Sequence, residues 1–379
     1  MRRSPGIFKR ANPGRNPQRT SEAEYLVGII YNSFAYKALL PEEKEMRDTG
    51  LAIGKHLALF GYNVQYFDMD DPQSIEKLCQ SKLDVAFDAC ERIHDDARGE
   101  AYVAALLEFL NIPHTRTSAW LISLGISKER VKCILSYYQI PTPRFQIFHH
   151  DQEELSSEMK FPLFVKGVAC ENSIGIDEHS LVNDTNELRA KVRQINAQLS
   201  QPALVEEYID GREFSVAILP GLKNQVLPIS EIIFRDLPPE RRFLDYSAKW
   251  FTDSERYQKT FPVCPAHLTD EEHHAISETA LQCFNILGLD SYARIDIRYR
   301  DHKPYVLEVN QNPSISEEGS GYVSTCKGFG LDYSAMIHVL LRNAIMRKSE
   351  NLPARTGRPG FSFSSQDATD LFQFETSRL

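Results

Sequence analysis

The residues with the clearest chemical potential lie in one stretch, Tyr292-Ala293-Arg294-Ile295-Asp296-Ile297, continued by Tyr305-Val306-Leu307-Glu308-Val309-Asn310-Gln311-Asn312-Pro313. Two apolar runs flank the turn-like Arg300-Asp301-His302-Lys303-Pro304, which is the pattern of a β-hairpin. Side chains alternate between faces along a strand. Arg294 and Asp296 therefore share one face, and Glu308 and Asn310 share one face of the partner strand. A cation, two carboxylates and an amide are costly to crowd together without a ligand. Two carboxylates and an amide oxygen suit a hard cation such as Mg²⁺, which usually arrives with substrate phosphates. The stretch points to a nucleotide-using enzyme.

Other segments carry chemistry only in combination. Lys166 ends the apolar run Pro162-Leu163-Phe164-Val165-Lys166 and opens the loop from Gly167 to Asp177. Backbone N–H groups of such a loop can close over phosphates while the Lys supplies charge. A Lys at a strand end is equally a solvated surface residue, and Asn172, Ser173 and Gly175 are equally turn formers. Glu206 and Glu207 end the run Ala203 to Ile209, just before the turn signal Asp210-Gly211. They read either as solvated edge acids or as a linker whose backbone pairs with an adenine edge, with Glu213 reaching ribose hydroxyls. Lys249 precedes a polar stretch to Thr260 that reads as a mobile lid, and lids exclude water from reactive intermediates.

The elements that must position these residues alternate between strand and helix at first. Tyr25 to Tyr31 is an apolar run of the kind seen in buried parallel strands, and a helix should follow it, ending at Leu59-Phe60 with Gly61 as its left-handed cap. Strands at 63–67 and 84–88, a helix at 100–110 and a re-entry at 112–115 complete an open α/β layer. A Lys-bearing helix at 127–138 leads into antiparallel strands, with further helices at 270–287 and 332–346.

The chain has 379 residues, 42% hydrophobic and 25% charged, enough for two or three domains. The net charge of −9 argues against nucleic acid as a partner. Seven scattered Cys without a Cys-x-x-Cys pair fit reduced thiols in a cytoplasmic protein rather than disulfides or a zinc site. No apolar run reaches the ~18 residues of a membrane span. Residues 1–22 read as a disordered basic lead, with six Arg or Lys and no acid in the first 20, an organellar transit peptide being the alternative. Residues 349–379 read as a disordered tail, in which Phe361, Phe363, Phe372 and Phe374 could dock on the body or on a partner.

Taken in order, these pieces resemble an ATP-grasp ligase, and most of all the D-alanine–D-alanine ligase group. The resemblance runs from Leu106-Leu107-Glu108 and Ile112-Pro113-His114-Thr115 through Ile126-Ser127-Lys128, Phe164-Val165-Lys166 and Val205-Glu206-Glu207-Tyr208-Ile209. It continues through Gly211-Arg212-Glu213-Phe214 and Asp245-Tyr246-Ser247-Ala248-Lys249 to the hairpin, and covers roughly residues 24 to 348. It implies an N-terminal α/β domain with an open parallel sheet (23–115). Central (116–205) and C-terminal (206–348) α+β subdomains would follow and grip ATP between them. Lys128, Lys166 and Lys249 would contact phosphates, Glu206, Glu207, Tyr208 and Ile209 would line the adenine site, and Glu213 would hold the ribose. Asp296, Glu308 and Asn310 would hold two Mg²⁺ ions, with Mn²⁺ a possible substitute. A small-molecule carboxylate donor would be phosphorylated to an acyl phosphate and then attacked by an amine acceptor. Arg294 would stabilise the oxyanion, with Lys249, Asn172 and Ser173 beside it. A homodimer through the N-terminal part is a further implication. A D-alanine–D-alanine ligase proper is one alternative, and the same fold with a purely ATP-binding regulatory role is the alternative from another class, against which the intact Arg294 counts.

The resemblance also has gaps. The group holds its donor ammonium with a Glu in the loop after the first strand, linked to a Ser in the phosphate loop and a Tyr beside the lid Lys. Here Tyr31 to Lys37 has no early acid, and Asn172 and Trp250 stand at the other two positions. The group's His-Gly-x-x-Gly-Glu-Asp-Gly segment appears as Asp88 to Asp96. On the acceptor side Ser316-Glu317-Glu318-Gly319-Ser320-Gly321 replaces a Ser-Leu pair, with Ser320 a shifted substitute for the Ser. Glu317 or Glu318, if it faced the pocket, would favour an acceptor with an extra amine or without a carboxylate; as solvated loop acids they would do neither.

Overall fold

The computed structural model describes residues 25–349 apart from Asp95, Leu222 and Lys223. The expectations for residues 1–22 and 349–379 lie outside these residues, Ser349 excepted.

The first unit runs β1 (Leu26–Tyr31), α1 (Pro41–Leu59), β2 (Asn63–Asp68), α2 (Pro72–Gln80), β3 (Val85–Asp88) and α3 (Gly99–Phe109). Its strands form a parallel sheet in the order β2-β1-β3. Strand β1 is apolar throughout because both faces are covered. Val27 and Ile29 meet Ile53 and Leu57 of α1, whereas Ile30 meets Phe67, Leu78 and Leu107. Gly61, at φ +90°, lies just past α1 where the left-handed cap was expected. The re-entry at 112–115 is a single parallel bridge, Ala86 to His114, since Pro113 has no N–H to extend a ladder.

The second unit comprises α4 (Ala119–Ile126), α5 (Lys128–Tyr137), β4 (Phe145–Phe148), β5 (Leu163–Gly167), β6 (Leu181–Val182), α6 (Thr185–Leu199) and β7 (Ala203–Glu207). Ser127 caps α5 by accepting from the Arg130 N–H, and Asp184 caps α6. The sheet is antiparallel in the order β4-β7-β5-β6. Period-two alternation divides its faces. Leu163, Val165, Ala203 and Val205 pack under α6 against Leu188, Val192 and Ile195, which turns Phe164, Lys166 and Glu206 the other way.

The third unit holds β8 (Arg212–Leu219), β9 (Gln225–Val226), β10 (Ser230–Phe234), α7 (Tyr246–Trp250), α8 (Glu255–Lys259), β11 (Thr260–Val263), α9 (Asp270–Leu287), β12 (Ala293–Arg300) and β13 (Lys303–Asn310). Two helices follow, α10 (Gly321–Gly328) and α11 (Tyr333–Ser349). The antiparallel order is β11-β10-β8-β12-β13, with β9 on β8. Helix α9 has a Thr269–Glu272 capping box and buries Ile276, Ala280 and Phe284 against Phe214, Val216, Ile295 and Val309. Met336, Ile337, Leu340 and Leu341 of α11 pack on Val27, Ile29 and Phe87, so the first sheet and the last helix share one core. No helix among the described residues is long and apolar enough to cross a membrane.

Candidate functional site

The expected hairpin is present. Asp301 and His302 form its tip at φ +50° and +60°, the backbone that two-residue hairpin turns require. The register sets Arg294 opposite Asn310 and Asp296 opposite Glu308. A bulge beside Asp296 skips Leu307 and keeps Glu308 on the same face. All four side chains line a cavity of about 1020 Å³, which also reaches the phosphate loop, the lid and the segment after β7.

Every carboxylate in this cluster has a cationic partner. The Arg294 guanidinium grips Asp296 with two bonds of 2.9 and 2.8 Å. Asn310 Nδ2 and the Ser215 hydroxyl donate to the same carboxylate at 2.9 and 2.8 Å. Lys128 Nζ lies 2.8 Å from Glu308. Burial alone would raise the Glu308 carboxyl, but Lys128, Lys166 and Arg294 overcome it and hold the group at about 2. Burial lowers Lys249, and the neighbouring Arg294 lowers it further. The donor set suits a hard divalent cation: two carboxylates share one face, and Asn310, having spent Nδ2 on Asp296, keeps its oxygen available.

Glu206, expected in the adenine linker, lines the cavity, and its side chain is committed to two lysines. It is buried, with one oxygen 2.7 Å from Lys166 and the other 2.8 Å from Lys132. It holds Lys166 at the cavity wall as a countercharge. Glu207 pairs with Arg300 at 3.1 Å. Tyr208 donates to the Pro239 and Arg242 carbonyls. Arg298, buried beneath the Tyr208 ring, donates to Glu213 at 3.0 and 2.8 Å and to the Ile209 carbonyl at 2.7 Å. This one side chain sets the position of three of the predicted residues.

The loop from Gly167 to Asp177 and the segment after Asp245 meet at Lys249, whose Nζ donates to Asn172 Oδ1 at 2.7 Å, while Trp250 Nε1 donates to the Asn172 carbonyl at 3.2 Å. Asn172 and Ser173 both have positive φ, +55° and +60°, which turns the loop toward the cavity. The Ser173 hydroxyl donates to the Leu244 carbonyl at 3.4 Å. The polar stretch expected to be a mobile lid contains α7 and α8. Buried Arg256 ties it together, pairing with Asp245 at 2.9 Å and donating to the Arg241 and Phe243 carbonyls.

Acids absent from Tyr31 to Lys37 arrive from farther along. Glu42, on the first turn of α1, accepts from the Tyr246 hydroxyl at 2.8 Å and so links the lid to the first unit. Glu45 lines the cavity and accepts from Ser314 at 2.7 Å. Glu91 also lines it, on backbone fixed by the Asn32 side chain. Loss of water and the nearby Glu171 push its carboxyl up to about 7. On the acceptor side Glu318 lines the cavity, whereas Glu317 faces His56 at 3.4 Å. Ser320 caps α10 and donates to the Ser314 carbonyl.

Lys132, Arg298, Arg256, Glu42, Glu45 and Glu91 were not anticipated. Two had a legible signal. Lys132 follows Lys128 by one helical turn and shares its face, and Arg298 continues the alternation of Arg294 and Asp296. The others depend on long-range packing.

The family model described as "D-ala D-ala ligase C-terminus" matches residues 134–342. The chain is 31% identical over 313 residues to a D-alanine–D-alanine ligase of Carboxydothermus hydrogenoformans, covering 80% of this chain and 94% of that protein. An uncharacterised protein of Sinorhizobium fredii is 32% identical over 260 residues, covering 68% and 73%. The crystal structure of D-alanine–D-alanine ligase from Bacillus anthracis superposes with a TM-score of 0.70 at 23% identity, covering 86% of this chain and 99% of that one. The fold is that of the ATP-grasp ligases. By sequence and fold, the chain belongs to the D-alanine–D-alanine ligase family.

Proposed function

We propose that this protein joins a carboxylate donor to an amine acceptor, converting ATP to ADP by way of an acyl phosphate. One observation carries the reading: Lys128, Lys166, Lys249 and Arg294 converge with Asp296, Glu308 and Asn310 on a single cavity. Phosphoryl transfer needs mainly positioning and charge neutralisation, and the four cations supply both. Lys166, braced by Glu206, and Lys128 and Lys249 hold the phosphates. Tyr208, Ile209 and Glu213, braced by Arg298, hold the nucleoside. Asp296, Glu308 and Asn310 hold divalent cations, which when bound neutralise charge on the transferring phosphoryl group. Arg294 donates to the oxyanion formed as the amine attacks, a contribution of about 3 kcal/mol at a preorganised site. The folded lid excludes water from the acyl phosphate. The division into 23–115, 116–205 and 206–348 belongs to this reading.

The substrates are small and amino-acid-like. The Bacillus anthracis relative solved "complexed with ATP" supports the nucleotide. D-Alanine on both sides is a second reading, favoured by the relatives named D-alanine–D-alanine ligase. Against it stand Asn172 and Trp250 at the donor network and Glu318 at the acceptor side. ADP release with Mg²⁺-ATP across a panel of amino acids, singly and in pairs, separates the two, with mass spectrometry of the products. Turnover with one pair, lost in Arg294→Ala and Glu308→Gln, supports the ligase reading. Strong turnover with D-alanine alone selects the second reading. ATP binding without turnover for any pair would refute D-alanine as the substrate and leave either a donor outside the panel or a binding protein.

A further inference from the structure

The groups assigned to the divalent cation are engaged with neighbouring side chains. The Asp296 carboxylate receives two guanidinium N–H groups, an amide N–H and a hydroxyl, at 2.8 to 2.9 Å. Four donors fill the roughly four lone-pair positions of a carboxylate. An ion cannot take an oxygen of Asp296 while the arginine fork stays closed. The same fork also fixes the orientation of the guanidinium, since Nε and Nη2 are committed to Asp296 and the remaining N–H groups point where that pair directs them. Glu308 is held in a parallel way by Lys128, which also donates to the Cys170 carbonyl.

We propose that Arg294 gates the cation site, so that transfer of Asp296 from arginine to ion and release of the guanidinium toward the reacting oxygen are one event. The proposal rests on the reading that Asp296, Glu308 and Asn310 bind the ion. The energetic logic is exchange: a bidentate, charge-assisted pair is given up for a metal–oxygen bond. Arg294 is then released only in protein already loaded with the cation that neutralises the phosphates. A protein without its cation keeps the arginine closed on Asp296.

The test counts Mn²⁺ bound to purified protein by the electron paramagnetic resonance signal of free Mn²⁺, without nucleotide, so no activity is needed. Arg294→Lys is the informative variant. It keeps the positive charge but loses the planar fork. Gating predicts that Arg294→Lys binds Mn²⁺ at least about tenfold more tightly than the wild type, ~1.4 kcal/mol, and Arg294→Gln more tightly again. Affinity unchanged in Arg294→Lys and raised only in Arg294→Gln would mean simple charge repulsion and overturn the gate. Asp296→Asn locates the ion. If it leaves Mn²⁺ binding intact, the cation assignment falls and the gate with it. Loss of binding in Asp296→Asn with no gain in Arg294→Lys overturns the gate alone. Ser215→Ala, which removes one neutral donor from Asp296 and no charge, should give a smaller gain in the same direction.

Discussion

Replacing Glu206 by Gln tests whether this acid is a countercharge or a nucleotide contact. Its two oxygens lie 2.7 and 2.8 Å from Lys166 and Lys132, and it is only 3% exposed. Burial would raise its carboxyl, yet the two lysines hold it below the usual range. Burial keeps Lys132 below its own usual range despite Glu206. Removing one partner of a buried pair costs about 3–5 kcal/mol. Gln keeps the shape and one acceptor oxygen, so the lower end, about 3 kcal/mol, applies. With an unfolding entropy of ~2.1 cal/mol/K per residue, a chain of 379 residues should melt about 4 °C lower. Mg²⁺-ATP would return a negative charge to Lys166 but not to Lys132. The ligand-induced rise in Tm should therefore be larger in Glu206→Gln than in the wild type. Differential scanning fluorimetry with and without Mg²⁺-ATP reads both quantities. An unchanged Tm accompanied by a raised KM for ATP would refute the countercharge argument in favour of a direct nucleotide contact by the Glu206 side chain.

Two further outcomes follow from the same geometry. The folded-state pKa of Glu308, about 2, lies below its ordinary 4.5. Its pairing therefore contributes stability that is fully present above pH ~4.5 and lost as pH falls toward 2. Denaturant titrations at pH 5 and pH 3 should show a loss of about 1–2 kcal/mol, discounted for partial exposure, that is absent in Glu308→Gln; an equal loss in both proteins would refute the assignment. Gly125 lies where an added Cβ would overlap the Gln311 amide, which is buried and donates to the Ile122 carbonyl at 3.0 Å. In Gly125→Ala the gain of about 1 kcal/mol in helix propensity offsets the lost hydrogen bond of similar size. Stability should change by less than about 1 kcal/mol while displacement of Gln311 beside Asn310 lowers turnover; a wild-type kcat would show that Gln311 moves without disturbing Asn310.

Much of the site could be read from local pattern. The hairpin carrying Arg294, Asp296, Glu308 and Asn310 is specified by two alternating apolar runs and a turn, all within 18 residues of chain from Ala293 to Asn310. Strand alternation alone places those four side chains on common faces. Lys166 and the loop after it, and Lys128 on a capped helix, were legible for the same reason. Their conformation depends on neighbours a few residues away.

Only the tertiary structure decided which charges meet. Glu206 was legible as an acid at a strand end, but its pairing with Lys132 and Lys166 joins a helix and two strands. Arg298 became the brace of Glu213 and Ile209 because β12 lies against β8. The link from Glu42 to Tyr246 spans 204 residues, and the shared core of β1 and α11 joins the two ends of the described chain. Sequence alone thus determined which chemical groups the hairpin and the phosphate loop present, because strand and turn geometry act over a few residues. Which cation neutralises which acid was left to the tertiary structure, because Coulomb interaction and burial follow distance in space rather than distance along the chain.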